Sequence, residues 1–117
     1  MILVDTSVWI DHFRKGNSEL QTALHEGRVL GHPLVIGECA CGNLKNRSEI
    51  LSLLRNLPLA KIAEFEECLF FIHRYRLYGM GIGFTDVHLL ASSRIGDCKL
   101  WTLDRKLHTM AVKLQVA

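Results

Sequence analysis

Four acidic residues of the sequence are candidates for chemistry: Asp5, Glu38, Asp86 and Asp104. Two of them end predicted strands, and the other two lie in helices that we expect to start near the same edge of the sheet. Carboxylates that gather in one place repel one another, so such a cluster either raises its pKa values or holds a cation. Oxygen ligands suit the hard cations Mg²⁺ and Mn²⁺, which can bind a phosphate oxygen and activate water. The pattern therefore predicts a metal site suited to phosphodiester hydrolysis.

Each acid also has an ordinary structural explanation when it is considered alone. Asp5 can form a turn, Glu38 can lie at the margin of its helix, and Asp86 in a first helical turn favours the helix dipole. Hydroxyl residues near the acids favour the functional interpretation, because their hydrogen bonds would orient the carboxylates. These hydroxyl residues are Thr6, Ser7 and Thr102.

The elements that must position these acids alternate along the chain as short strands and helices. Apolar runs predict strands at residues 2–4, 28–30, 59–62, 99–103 and 114–116. Apolar spacing and breaker residues predict helices at 7–14, 18–27, 33–41, 47–57, 64–78, 86–95 and 105–109. This alternation indicates a three-layer α/β fold, in which a central parallel sheet of four to five strands has helices on both faces. Ligands bind at the carboxyl edge of such sheets.

The length of 117 residues predicts a single domain over 1–117, and 49% hydrophobic residues suffice for a core. No apolar run approaches the roughly 18–20 residues of a membrane span, and the first residues lack the pattern of a secretory signal. We therefore expect a cytoplasmic protein. Its four cysteines are then predicted to be reduced thiols, mostly buried, and their spacing gives a zinc site only weak support.

The net charge of +2 gives no overall sign of a nucleic-acid-binding protein, although it leaves room for local basic patches. Short basic pairs are candidates for contacts with a phosphate backbone: Arg14/Lys15, Lys45/Arg47, Arg74/Arg76 and Arg105/Lys106. Helix 64–78 is predicted to pack one face into the core, formed by Phe65, Cys68, Leu69, Ile72 and Tyr75.

Two features near Asp86 receive ordinary interpretations. The glycine-rich residues 79–83 are suggestive of a phosphate cradle, but they follow a helix and lack the lysine of a Walker loop, so a flexible loop is the better interpretation. His88 faces away from the apolar stripe of its own helix, and we expect it to face solvent or a loop.

Four ordered motifs carry a resemblance to a known family. They read Val-Asp-Thr-Ser-Val-Trp-Ile-Asp at 4–11, Ile-Gly-Glu at 36–38, Thr-Asp-Val-His-Leu-Leu-Ala at 85–91 and Leu-Trp-Thr-Leu-Asp at 100–104. Their order and spacing, over essentially the whole chain, resemble the PIN-domain ribonucleases. Within that family the resemblance is to the VapC-type toxins of bacterial toxin–antitoxin pairs.

This resemblance implies a Mg²⁺- or Mn²⁺-dependent endoribonuclease that is a homodimer and is held inactive by a small antitoxin. Matched position by position, the metal-binding and catalytic acids are Asp5, Glu38, Asp86 and Asp104. Thr6 and Thr102 match polar supporting positions, and His88 is a candidate substrate contact. Asp11 lies six residues past Asp5 on a helix that leads away, so it is left outside the site.

Two other functions fit parts of the sequence. A phosphoacceptor signalling domain would have an acidic pair after its first strand, whereas this chain has the single acid Asp5 followed by two hydroxyl residues. A non-catalytic module that binds RNA or a protein could retain the acids for structure. Trp9, Phe13 and the helix around 45–57 would then provide an apolar partner surface.

Overall fold

The computed structural model describes residues Met1–Ala117 and contains three β-strands and seven α-helices. The strands are β1 (Ile2–Val4), β2 (Val29–Leu30) and β3 (Lys99–Trp101). The helices are α1 (Thr6–Lys15), α2 (Ser18–His25), α3 (Pro33–Cys41), α4 (Arg47–Asn56), α5 (Phe65–Tyr75), α6 (Phe84–Ile95) and α7 (Arg105–Lys113). The predicted α/β class is therefore confirmed.

The strands form one parallel sheet in the order β2–β1–β3. Leu3 of the central strand pairs with Leu30 on one side and with Leu100 on the other. Leu3 is fully buried, as expected for the central strand of a parallel sheet that is covered on both faces. The backbone N–H of Asp5 donates to the carbonyl of Trp101 (2.9 Å), so β1 and β3 end side by side at the same edge.

The two crossovers between parallel strands leave in opposite directions across the sheet. One leads from β1 outward to β2 through α1 and α2, and the other returns from β2 past β1 to β3. Parallel crossovers are almost always right-handed, which directs two such connections to opposite faces. The three-layer arrangement with helices on both faces stays a prediction that is consistent with this topology.

The prediction of four to five strands is wrong, and the segment 59–62 is the first reason. It makes only a single parallel bridge, between Leu59 and Gly31, with the N–H of Ala60 donating to the Gly31 carbonyl (2.9 Å). The neighbouring strand β2 is two residues long, so there is no further backbone for the segment to pair with. Leu59 and Ile62 remain about half exposed as a result.

The predicted last strand at 114–116 is also absent, because α7 continues to Lys113 rather than ending at 109. Leu107, Ala111 and Leu114 are buried at helical spacing, so the apolar residue assigned to a strand belongs to a helical stripe. Gln115 then takes a positive φ of 61° and reverses the chain. Val116 keeps one contact with the sheet, since its carbonyl accepts from the N–H of Leu100 (2.7 Å).

The long helix 64–78 is shorter than predicted, and only part of its predicted face packs in the core, namely Cys68, Ile72 and Tyr75. As α5 it ends at Tyr75. Cys68 and Phe71 are buried, whereas Phe65 and Leu69, which were predicted to be core residues, are 57% and 41% exposed. The helix carries two adjacent apolar stripes, and packing against α6 buries only one of them.

Helix α6 is the most buried helix, with Leu89, Leu90 and Ala91 fully enclosed. It begins two residues earlier than predicted because the carboxylate of Asp86 accepts from the N–H of Gly83 (3.1 Å) and closes the first turn. This central helix therefore fixes the position of Asp86 relative to the sheet. None of the helices combines the length and the apolar character that crossing a bilayer requires.

Candidate functional site

Asp5 lies at the centre of the acidic edge, where β1 passes into α1. It is the N-cap of α1 and is 7% exposed. Its Oδ2 accepts hydrogen bonds from the hydroxyl of Ser7 (2.7 Å) and from the hydroxyl of Thr102 (2.8 Å). A carboxylate that is held by two hydroxyl donors has a fixed orientation.

The same two hydroxyl groups connect Asp5 to the end of β3. The hydroxyl of Ser7 accepts from the N–H of Leu103 (3.0 Å), and the hydroxyl of Thr102 accepts from the N–H of Asp104 (3.0 Å). Each hydroxyl thus donates to the Asp5 carboxylate and accepts from the chain that follows β3. The end of β1 and the start of α7 are therefore joined through side chains.

Glu38 reaches the same edge from α3. Its Oε1 accepts from the hydroxyl of Thr6 (2.6 Å), which is the first residue of α1. Glu38 is exposed to solvent, so the carboxylate has no burial cost to offset. The bond is made between residues far apart in sequence, and α1 and α3 pack against each other at this point.

Asp86 and Asp104 each stand at the start of a helix. Asp86 is half-buried in the first turn of α6, and its Oδ2 takes the Gly83 N–H described above. Asp104 is exposed and caps α7, with its Oδ1 accepting from the N–H of Leu107 (3.0 Å). Both capping bonds are local, as expected for aspartates at helix N-termini.

The electrostatics place all four acids in one region. Partial burial raises the pKa of the Asp86 carboxyl, the Gly83 hydrogen bond opposes this, and the negative charges of Asp5, Asp104 and Glu38 raise the pKa further. A like-charge effect from three other carboxylates requires that all of them lie near Asp86. The structure therefore brings the four acids to the same region, and their role as a metal site stays a prediction.

The acids share this region but are not arranged as a ready-made metal site. No three His, Cys, Asp or Glu side chains of the chain are arranged to hold one metal ion as they stand. The exposed side chains of Glu38 and Asp104 would have to rotate inward for their oxygens to reach an ion together with Asp5. Mutual repulsion favours the spread arrangement when only the carboxylates are present.

The donor chemistry nevertheless fits a hard divalent cation. In each of the four acids, one oxygen takes the hydrogen bonds from the chain, and the other oxygen takes none. These second oxygens are Oδ1 of Asp5, Oε2 of Glu38, Oδ1 of Asp86 and Oδ2 of Asp104. An all-oxygen donor set of this kind suits Mg²⁺ or Mn²⁺.

His88 does not lie where the sequence predicts. It lies between α5 and α6 instead of facing solvent or a loop, and its Nδ1 is 3.3 Å from the sulfur of Cys68. Its ring packs edge-on against Phe84 with 4.8 Å between the ring centres. Burial raises the pKa of the Cys68 thiol, so the sulfur in this contact is a neutral thiol. Its surroundings are those of a packing residue.

Lys106 makes a contact that the sequence does not predict. The sequence marks it only as a member of a basic pair, whereas in the structure its side chain lies against the backbone of Gly81, in the loop before α6. The two residues come from different parts of the chain, so neither a motif nor a spacing could predict the contact.

Comparison with known proteins agrees with this geometry. The family model described as PIN domain matches residues 2–113, which include all four acids. The chain belongs to the PIN-domain family. This PIN domain is also similar to a protein named Ribonuclease VapC32 in two strains of Mycobacterium tuberculosis. Each alignment is 42% identical over 118 residues and covers 100% of this chain and 95% of the relative. The resemblance to VapC-type PIN domains is therefore confirmed.

Proposed function

We propose that this PIN domain is a metal-dependent endoribonuclease and the toxin of a toxin–antitoxin pair. The observation that carries the proposal is the acidic edge, where four carboxylates each keep one oxygen free of hydrogen bonds from the chain. The name of the relative, a ribonuclease, supports RNA as the substrate. The reaction would be hydrolysis of RNA phosphodiester bonds by water.

In this function Asp5, Glu38, Asp86 and Asp104 would hold Mg²⁺ or Mn²⁺. The cation would lower the pKa of a water molecule and offset the charge on the phosphate. Partial burial, and then the charges of Asp5, Asp104 and Glu38, raise the pKa of Asp86. A cation among the acids would oppose the repulsion between these carboxylates.

The hydroxyl residues position the acids in this proposal. Ser7 and Thr102 hold one oxygen of Asp5 and leave the other free for a cation. Thr6 holds one oxygen of Glu38 in the same way. Outer-sphere hydrogen bonds of this kind typically contribute about 10–100-fold in metal affinity or activity.

Substitution of one acid with a matched control tests the nuclease. Asp86→Asn keeps an oxygen that can accept from Gly83, so the fold is retained, and cleavage of total RNA should fall by more than about 100-fold. Asp11→Asn is the control, because Asp11 pairs with Lys15 (3.3 Å) on α1 and should leave activity unchanged. Cleavage that persists in Asp86→Asn and in excess EDTA would contradict the proposed metal site. A wild-type chain that cleaves no RNA would favour a non-catalytic module.

An apolar pocket on α1, α2 and α4 is the proposed site for the antitoxin. It has a volume of about 230 Å³ and is lined mainly by apolar side chains, namely Trp9, Phe13, Leu24, Ile50, Leu53, Leu54 and Leu57. Leu53 is 69% exposed at its rim. An amphipathic helix of a partner would place an apolar side chain in such a pocket.

Co-expression of the chain with its antitoxin tests this pocket. Leu53→Lys should leave RNA cleavage unchanged, because the residue is exposed and lies on α4 rather than at the acidic edge. It should nevertheless escape inhibition, since a charge would enter an apolar contact. Ser52→Lys on the same helix is the matched control, and full inhibition of Leu53→Lys would reject the pocket.

The predicted homodimer is proposed to use the exposed apolar face of α5 and α6. Phe65 and Phe84 are 57% and 42% exposed, with 5.7 Å between their ring centres, and Leu69 extends the same face. Exposed aromatic side chains that lie side by side are typical of an interface. Phe65→Glu should convert the dimer to a monomer in sedimentation velocity, whereas Glu66→Gln should not, and a dimer in both variants would exclude this face.

A cytoplasmic location is part of the proposal, because the substrate and the antitoxin would be met there. The four cysteines are free thiols, and three of them are buried. Thiols in this state agree with a reducing compartment.

A further inference from the structure

Lys106 and Gly81 make a close contact at the acidic edge. Lys106 lies in the first turn of α7, two residues after Asp104. A Cβ atom placed on Gly81 would lie 2.8 Å from the Lys106 ammonium nitrogen and 2.9 Å from its Cδ. The lysine can occupy this path only because residue 81 has no side chain, and the φ of +77° at Gly81 also favours glycine.

The ammonium of Lys106 has no partner in the chain. The two ion pairs of the molecule are Lys15 with Asp11 and Arg28 with Glu26. No carboxylate lies within ion-pair distance of Lys106, and no carbonyl accepts a hydrogen bond from it. The ammonium is therefore free to bind an anion.

The contact joins two segments that each carry an acid of the proposed site. Gly81 is two residues before Gly83, whose N–H holds Asp86, and Lys106 is two residues after Asp104. A region with four carboxylates repels an incoming phosphodiester, which is itself an anion. A free ammonium at the border of that region provides an attractive contact for a phosphate oxygen.

We propose that Lys106 is a substrate-binding residue that contacts a backbone phosphate of RNA at the acidic edge, and that Gly81 keeps its side chain in place. This inference rests on the proposed nuclease function. The contact with Gly81 distinguishes Lys106 from the other basic pairs.

Steady-state kinetics test the phosphate contact directly. Lys106→Ala should raise the KM for a short single-stranded RNA about fivefold, with a smaller change in kcat, and Lys106→Arg should restore most of the affinity. The dependence of log affinity on log salt should become shallower by about 0.7, the share of one phosphate on a single strand. Lys113→Ala, at the other end of α7, is the matched control and should behave as wild type.

Two glycine substitutions separate the lysine contact from backbone strain. Gly81→Ala introduces the Cβ that displaces the end of the Lys106 side chain, so it should raise the KM by less than Lys106→Ala does. Gly79→Ala lies in the same loop with a φ of +69° and has no atom within 4 Å of its added Cβ. It should share the strain but leave the KM unchanged. Equal KM values in both alanine variants would overturn the role of Gly81.

Binding experiments distinguish failure of this inference from failure of the nuclease. A fluorescent single-stranded RNA is titrated with Asp86→Asn protein, with and without Lys106→Ala, in the absence of divalent metal. About fivefold weaker binding on removal of Lys106 supports the contact even if the wild-type chain cleaves no RNA. Unchanged binding and an unchanged salt slope would overturn it, whatever the cleavage assay gives.

Discussion

The stability of this PIN domain should depend on pH through His32, a fully enclosed histidine at the start of α3. His32 is 1% exposed. Its Nδ1 accepts from the N–H of Leu34 (3.1 Å), and its Nε2 lies 3.2 Å from the hydroxyl of Ser92. The ring therefore uses both nitrogens as a neutral imidazole, one as acceptor and one as donor.

Burial lowers the pKa of His32 to about 4 from the ordinary value of 6.5, and the nearby His88 contributes to the same effect. Below about pH 6.5 His32 binds a proton in the unfolded chain but stays neutral in the folded chain. The free energy of unfolding then falls as the pH falls, by about 1.4 kcal/mol per pH unit, until the folded state is itself protonated near pH 4. This amounts to about 2 kcal/mol between pH 6.5 and 5.

Urea unfolding across this pH range measures the effect. The comparison is wild type with His32→Asn, because asparagine can keep the cap on Leu34 but does not titrate. The variant loses a constant amount of stability from the smaller side chain, so the two slopes against pH are compared rather than the absolute values. Identical slopes for both proteins would refute the assignment of the pH dependence to His32.

Three further predictions concern the acidic edge and the apolar pocket. Thr102→Val should lower RNA cleavage by about 10–100-fold, since Asp5 loses a hydrogen bond of 2.8 Å, and Thr102→Ser should retain most activity in the same assay. Addition of Mn²⁺ should raise the Tm of the wild type but not of Asp86→Asn, and an equal shift in both would argue against a metal at the acids. Trp9→Phe should change the free energy of unfolding by less than about 1 kcal/mol in urea, because the buried indole N–H has no partner to lose, while it weakens antitoxin binding in a pull-down.

The sequence predicts the acids and their local secondary structure because each strand end and helix start depends on a few neighbouring residues. Asp5 follows an apolar run and precedes two hydroxyl residues, which is enough to predict a strand, a cap and a helix. Asp104 likewise follows an apolar run that ends β3 and precedes a helix, although Arg105 and Lys106 come after it instead of hydroxyl residues. The parallel sheet then requires both ends to meet at one edge.

Other features depended on packing that has no local signal. Residues of α5 form two apolar stripes, and the helical period cannot tell which of them faces α6. The helical period therefore predicts Leu69 in the core although it is exposed, and it does not predict the burial of Phe71. The segment 59–62 has the composition of a strand but meets a β2 of only two residues, so its one bridge could not extend.

By itself, the sequence determined the α/β class, the strand–acid–helix junctions and the order of the four acids, because these follow from residues close together in the chain. The tertiary structure alone decided which oxygen of each acid is held by Thr6, Ser7 or Thr102 and which is left free. It also decided that Lys106 crosses Gly81 without an acidic partner. Those contacts join distant parts of the chain, and only the packing of the helices against the sheet brings them within bonding distance.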